Sequence, residues 1–307
     1  MNYTLNQLRI FLTVLEFGSI TKAAAKLNLT QPAVSIQLKN LQDQFEFPLF
    51  EVIGKKVFVT DFGTEIVHSA RAIFQEIDGI ESKISSYKGL LSGRLRVSVV
   101  STGKYIAPYF IADFLKLHSG VELRMEVTNK AKVLESLQNN EVDFSLVSVL
   151  PDNMEVDKVS LMTNKLFVVG PYDKRFKSKT FTKELFEELP LIYREQGSGT
   201  RQVMEKYIKK NKLPVRMKFE LTSNEAVKQA LIAGLGHSIM PLIGIKNELE
   251  NKQLQIINVS GFPISSTWYL IWRKDKHLSN IAKSYLDYLR VEKNSIMEKR
   301  FAWIENY

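Results

Sequence analysis

The sequence predicts an α/β protein with a helical N-terminal part, and three observations carry that reading. Residues 1–60 hold short helical segments closed by a small β-like stretch. Residues 61–91 form one long helical pattern without proline. From Arg94 to about Leu289, β-rich runs such as LRVSVV, VELRMEV and DFSLV alternate with amphipathic segments, the pattern of βαβ units and a parallel sheet covered by helices. A length of 307 residues suits about two domains, and 45% hydrophobic with 24% charged residues is an ordinary globular composition. A disordered, collagen-like or repeat-array chain is excluded. No apolar run approaches the ~20 residues that span a bilayer. The start, MNYTLNQLRIF, lacks the pattern of a signal peptide. With no cysteine, disulfides and thiolate metal sites are excluded. A soluble cytoplasmic protein without a membrane partner is expected.

In the first zone, Thr4 stands three residues before Gln7 in a capping-box arrangement, followed by Leu5, Leu8, Phe11, Leu12 and Leu15 at helical spacing. Gly18 ends that helix, and Ser19 or Thr21 caps the next, whose apolar face is Ala23, Ala24 and Leu27. Thr30 suits the N-cap of a third helix, with Pro32 in its first turn and Val34, Leu38 and Leu41 inward. Two such helices joined by a few residues make a helix-turn-helix. Gln31, Ser35, Gln37 and Lys39 then face outward, a polar flank suited to base edges and phosphates in a major groove. Gly54-Lys55-Lys56 between Phe50 and Val57 reads as a hairpin wing carrying two cations. The competing reading is a three-helix bundle with an incidental polar face. Bulk charge does not choose between them: the formal total is +9, yet residues 1–63 carry six basic and five acidic residues, against fourteen and seven in 165–220.

In the long helix Ile66, Ala70, Ile73, Ile77, Ile80, Ile84, Tyr87 and Leu91 step by fours and threes, a heptad seam that calls for a partner helix. Packing on the chain's own second domain is the alternative. Leu91-Ser92-Gly93 is the expected hinge into the third zone.

There, strand Leu95–Val100 runs into Ser101-Thr102-Gly103-Lys104, and strand Leu189–Tyr193 runs into Gly197-Ser198-Gly199-Thr200-Arg201. Each turn offers free N–H groups, hydroxyls and a positive helix end at the strand tips, where ligands of open α/β sheets bind. Thr128-Asn129 and Ser148 line the same edge, and Thr222 and Asn224 either join it or cap their own helix. Arg201 holds either the ligand or an acid such as Glu195. Lys104 is either a ligand cation or solvated, and His237, in the turn GLGHSIMP, is either a pocket contact or structural. The spacing of a P-loop is absent, and the four histidines form no H-E-x-x-H pair. A binding protein rather than an enzyme is expected, with no metal and no cofactor.

The run FLTVLEFGSITKAAAKLNLTQPAVSIQLKNLQDQFEFPLFEVIGKKVFVTDFG resembles the winged helix-turn-helix of LysR-type transcriptional regulators, with GS-x-T-x-AA-x-L, TQPAVS, PLF and VTDFG in that family's order. The resemblance covers nearly the whole chain. It implies a winged DNA-binding domain at 1–60, a linker and dimerisation helix at 61–91 and an effector domain at 94–307. That domain has the type 2 periplasmic-binding-protein fold, with lobe I at about 94–166 and 269–289 and lobe II at about 167–268. It further implies that Gln31, Pro32 and Ser35 meet a pseudo-palindromic operator, with wing cations on the backbone and homodimers commonly paired into tetramers. Relatives often carry Arg or Lys where this chain has Ile36, which can touch a thymine methyl but cannot pair with guanine. VSTGKYIAPYFIADF and REQGSGTR resemble the branch that includes regulators of carbon-fixation operons, which implies a small anionic effector between the lobes. A transport-type solute-binding protein shares the cleft and is the alternative.

Overall fold

The computed structural model describes residues 2–87, 91–177 and 179–307; the side chains at 78 and 81–87 lie outside that description. The chain divides into two compact units, Met1–Glu81 and Ser82–Tyr307.

The first unit opens with α1 (Leu5–Phe17), α2 (Ile20–Leu27) and α3 (Gln31–Gln42). Thr4 accepts from the Gln7 N–H while the Gln7 side chain accepts from the Thr4 N–H, so the capping box is complete. Gly18, at φ +57°, ends α1 in the left-handed conformation that suits glycine. Ser19 caps α2, and Thr21 lies exposed in its first turn. Thr30 caps α3 through the Ala33 N–H. Val34, Leu38 and Leu41 of α3 are buried against Leu8, Ile10, Phe11 and Val14 of α1, and Ala23 and Ala24 admit α2 at close range. The antiparallel hairpin of β1 (Phe50–Ile53) and β2 (Lys56–Val59) turns at Gly54-Lys55. It is tied to the helices where the Val57 N–H donates to the Gly18 carbonyl at 3.1 Å and the Leu49 N–H to Gln42 Oε1 at 2.7 Å.

Helix α4 (Asp61–Tyr87) follows. A Cβ on Gly63 would run into the Leu49 carbonyl, which is why the VTDFG turn needs glycine there. The structure divides the expected heptad seam. Val67 and Ala70 are buried in the first unit's own core, with Ile66 and Phe74 packed against it, whereas Ile73 and Ile80 are exposed and Ile77 is half-buried. The side chains of Ile84 and Tyr87 lie outside the described residues.

In the second unit, the expected hinge at Leu91–Gly93 is corrected. Ser92 and Gly93 open β3 (Ser92–Val100) and pair in parallel with Gly120 and Val121, because the next strand extends the ladder that far. The order continues with a 3-10 turn at Gly103–Tyr105, α5 (Ala107–Leu117), β4 (Gly120–Thr128), α6 (Lys130–Gln138), β5 (Phe144–Val147) and β6 (Val156–Pro171). Then come β7 (Thr180–Phe181), α7 (Leu185–Glu188), β8 (Pro190–Arg194), α8 (Gly199–Asn211), β9 (Arg216–Leu221) and α9 (Asn224–Ile232). The last elements are β10 (Ser238–Pro241), α10 (Lys246–Glu250), β11 (Leu254–Val259), β12 (Ile264–Arg273) and α11 (Asn280–Phe301), with a 3-10 turn after it.

Among the described residues the main sheet runs β4-β3-β5-β12-β6-β11-β7, with β10 also on β6, and β8 pairs with β9 apart from it. The sheet is mixed rather than wholly parallel. β3 runs parallel to β4 and β5, and β8 to β9, but β6 and β12 are antiparallel to each other and to their other partners in the main sheet. These two long strands pass from one lobe into the other, and their register slips between Trp268 and Tyr269.

Phe114, Phe144, Trp268 and Tyr285 centre a core that joins lobe I to one face of lobe II. A second cluster, with Phe186, Leu191 and Met204, fills the other face. The C-terminal segment belongs to this unit: Ile296, Phe301 and Ile304 are buried, and Phe301 stacks on Phe110 at 5.8 Å.

Candidate functional site

Two constellations stand out, one in each unit. On α3, Gln31, Pro32, Ile36 and Lys39 are exposed and Ser35 is half-buried, while Val34, Leu38 and Leu41 are buried. Thr30 is exposed at the helix N-terminus, where the backbone N–H groups lack helical acceptors. Lys55 and Lys56 are exposed at the wing, Lys56 pairing with Ile53 as the first residue of β2. Ile36 keeps 57% of its surface exposed on this polar flank, an apolar side chain that the core does not claim. A narrow helix, a free polar N-terminal face and a cationic hairpin are the parts with which a winged domain enters a duplex groove.

In the second unit the carboxyl ends of β3, β5 and β8 converge with the N-termini of α6 and α8. Ser101, Thr102, Asn129, Ser148, Ser198, Gly199 and Thr200 line a narrow cleft there, together with Val100, Lys130 and Arg194. Asn129 caps α6 through the Lys132 N–H, and Ser198 caps α8 through the Arg201 N–H. Both helices therefore direct positive ends to one place. Opposite lobes already touch: Lys130 Nζ donates to Gln202 Oε1 at 2.8 Å. The remaining space is about 10 Å³, room for one water-sized occupant.

Two cations in this cleft escaped sequence reasoning. Lys130, the first residue of α6, is buried, and desolvation pulls its ammonium below the ordinary lysine range, partly offset by Asp152. Arg194, 5% exposed at the end of β8, donates from Nε and Nη2 to Glu195 at 2.8 and 2.9 Å. Their only signal was position: each sits where a strand or helix terminus meets the lobe interface.

The structure places six residues weighed for the effector site outside the lining. Arg201 is turned back to Glu205 at 2.7 Å, to Glu220 and to the Arg194 carbonyl at 2.9 Å, so Glu195 is not its partner. Burial disfavours its charge, but those two carboxylates outweigh it and raise its pKa. Lys104 lies over the Tyr105 ring. Thr128 ends β4 half-buried, and Thr222 is exposed beside Ser223, which is the residue that caps α9. Asn224 is buried and donates to Tyr105 Oη at 3.4 Å. His237 packs on Phe176 behind lobe II, and a Cβ on Gly170 would strike its ring. Among the described residues no group of His, Asp or Glu could hold a metal ion, and no helix is long and apolar enough to cross a membrane.

A winged helix-turn-helix followed by a two-lobed α/β domain with a polar cleft defines a DNA-binding transcriptional regulator with a sensor module. The comparisons agree. Residues 5–64 match the bacterial regulatory helix-turn-helix protein, lysR family, and residues 88–293 match the LysR substrate binding domain. The chain belongs to the LysR family of transcriptional regulators and is not an enzyme. It is 40% identical over 293 residues to the RuBisCO operon transcriptional regulator of Allochromatium vinosum, covering 95% of this chain and 97% of that protein. The regulatory domain of CcmR from Synechocystis PCC6803, solved in complex with 2-PG, is 32% identical over 64% of this chain and 95% of that one, with TM-score 0.61. Full-length CbnR complexed with its target DNA shares the fold at TM-score 0.67 and 19% identity, over 94% of this chain and 99% of that one.

Proposed function

We propose that the protein regulates a carbon-fixation operon from the cytoplasm, and that a small phosphorylated or carboxylated metabolite between its two lobes changes how it holds its operator. One observation carries the effector reading: Lys130 and Arg194 sit at the meeting of two helix N-termini in a cleft otherwise lined by hydroxyls and amides. A dianion there gains charge-assisted hydrogen bonds from both lobes. The 2-phosphoglycolate bound by CcmR fits that chemistry. Because the cleft is nearly filled as it stands, such a ligand selects a parted arrangement, and it shifts the protein only by its preference for that arrangement.

Gln31, Pro32, Ser35 and Ile36 are assigned to the major groove. Ser19, Thr21, Thr30, Lys39, Lys55 and Lys56 are assigned to the phosphates. A homodimer, itself paired into a tetramer, presents two such helices to a pseudo-palindrome. The winged unit favours this reading over a bare solute-binding protein.

Footprinting on the chain's own upstream DNA tests both halves. Ser35→Glu sets a carboxylate against the duplex and is expected to abolish the footprint while leaving the sensor's melting transition in place. Thr200→Val is expected to weaken the 2-phosphoglycolate response and leave DNA affinity intact. A retained footprint, or an unchanged titration, removes the corresponding assignment.

A further inference from the structure

The second unit holds a larger cavity that shares no residue with the cleft. It encloses about 380 Å³, within the usual range for small-molecule sites. Four segments build it: Tyr105 and Tyr109 from the start of α5 and the turn before it, Lys228 of α9, Ile243, Gly244 and Lys246 to Glu248 around the start of α10, and Lys299, Arg300, Phe301 and Trp303 at the end of α11. Nothing in the winged domain, the linker or the cleft accounts for it.

Its lining carries charge of both signs. Lys228, Lys246, Lys299 and Arg300 line it with one carboxylate, Glu248, while Glu225 and Glu250 lie beside it on Lys228 and Lys246, and Asp113 lies within electrostatic range of Lys299 and Arg300. Lys228 is already held by Glu225 at 3.0 Å and Glu248 at 2.8 Å. Lys246 reaches Glu250 only at 3.8 Å and lies over the Trp303 ring, 5.1 Å from its centroid. Lys299 and Arg300 are exposed at the rim. The other walls are aromatic, with Tyr109 47% exposed and Trp303 half-buried. The tail that supplies Trp303 is fixed in place, because Lys165 Nζ donates to the Ile304 and Tyr307 carbonyls at 3.2 and 3.0 Å.

We propose that this cavity is a second effector site, for an organic anion whose phosphate or carboxylate meets Lys246, Lys299 and Arg300 while a flat ring lies against Tyr109 and Trp303. Inorganic phosphate satisfies the cations but leaves most of the volume empty. A neutral ring meets the aromatics but makes no use of the exposed Lys299 and Arg300. Both halves of the ligand are therefore needed.

Phenyl phosphate is the probe, titrated into the full-length protein by calorimetry with tryptophan fluorescence alongside. Saturable binding at one site per chain is expected, with inorganic phosphate about tenfold weaker or more. The double variant Lys299→Ala/Arg300→Ala changes only exposed side chains and is expected to lose about tenfold in affinity for phenyl phosphate. Thr200→Val, in the cleft, is expected to leave that affinity unchanged, so failure here is separable from failure of the cleft assignment. Absence of saturation by about 1 mM, equal affinity for inorganic phosphate, or binding removed by Thr200→Val but kept by Lys299→Ala/Arg300→Ala would each overturn the proposal.

Discussion

Arg194 and Arg201 lie seven residues apart, and their roles are the reverse of what their neighbourhood suggests. Arg201 follows the glycine-rich turn, yet Glu205 and Glu220 draw it away from the cleft, while Arg194 at the strand end lines it beside Glu195. Caps were readable because Thr4, Ser19 and Thr30 act within three residues of themselves. Ion-pair partners such as Glu220, nineteen residues from Arg201, were not, since a parallel strand pair sets them. Replacing Arg194 with Met and Glu195 with Gln together strands no buried charge. The pair of changes is expected to weaken 2-phosphoglycolate binding by about tenfold to a hundredfold without unfolding the domain, measured by calorimetry.

His237 gives a residue-scale test of pH. Burial, then the nearby positive charge of Arg175, push its imidazole below the ordinary 6.5, with Asp173 acting the other way. Below 6.5 the unfolded chain binds a proton at this position that the folded chain still refuses, so folding stability falls as pH drops through that window. Melting temperatures at pH 7.5 and pH 5.5 are expected to converge in His237→Gln relative to the wild type.

At the scale of the element, α4 does two jobs along one apolar stripe. The periodicity of its isoleucines was plain in the sequence, but a repeat of fours and threes does not say which turns face the chain's own domain. Volume decides it: the small Ala70 allows close packing on the first unit's core, and beyond Phe74 that core ends. Ile73 and Ile80 are exposed beyond that core, and we propose that they are the side chains offered to a partner helix. Ile80→Glu is expected to shift the protein to smaller assemblies by light scattering while leaving the melting of the winged unit unchanged. Ala70→Glu buries a carboxylate and is expected to unfold that unit instead, at a cost of several kcal/mol. Equal effects of the two changes on assembly alone would refute the division.

At the scale of the molecule, the strand-helix alternation announced an α/β sensor. The antiparallel pairing of β6 and β12 could not be read, because a half-buried run looks the same whichever way its neighbour points. The tail was also opaque: the lobe boundaries read from the sequence stop at about 289, yet Ile296, Phe301 and Ile304 beyond them are buried in the sensor's core. Each such side chain contributes about 1.5–3 kcal/mol by its burial. Deleting residues 292–307 is therefore expected to lower the urea midpoint of the sensor transition sharply, whereas trimming Tyr307 alone leaves Phe301 and Ile304 in place and moves it little.

β6 and β12 stay joined through ten registered pairs as they run from one lobe to the other. The two strands lie inside the larger sheet, β12 flanked also by β5, and β6 by β10 and β11, and the slip beside Trp268 is where their shared ladder is locally disrupted and its twist increased. A ligand that parts the lobes is therefore expected to work against that shared ladder, with the change of twist falling beside Trp268.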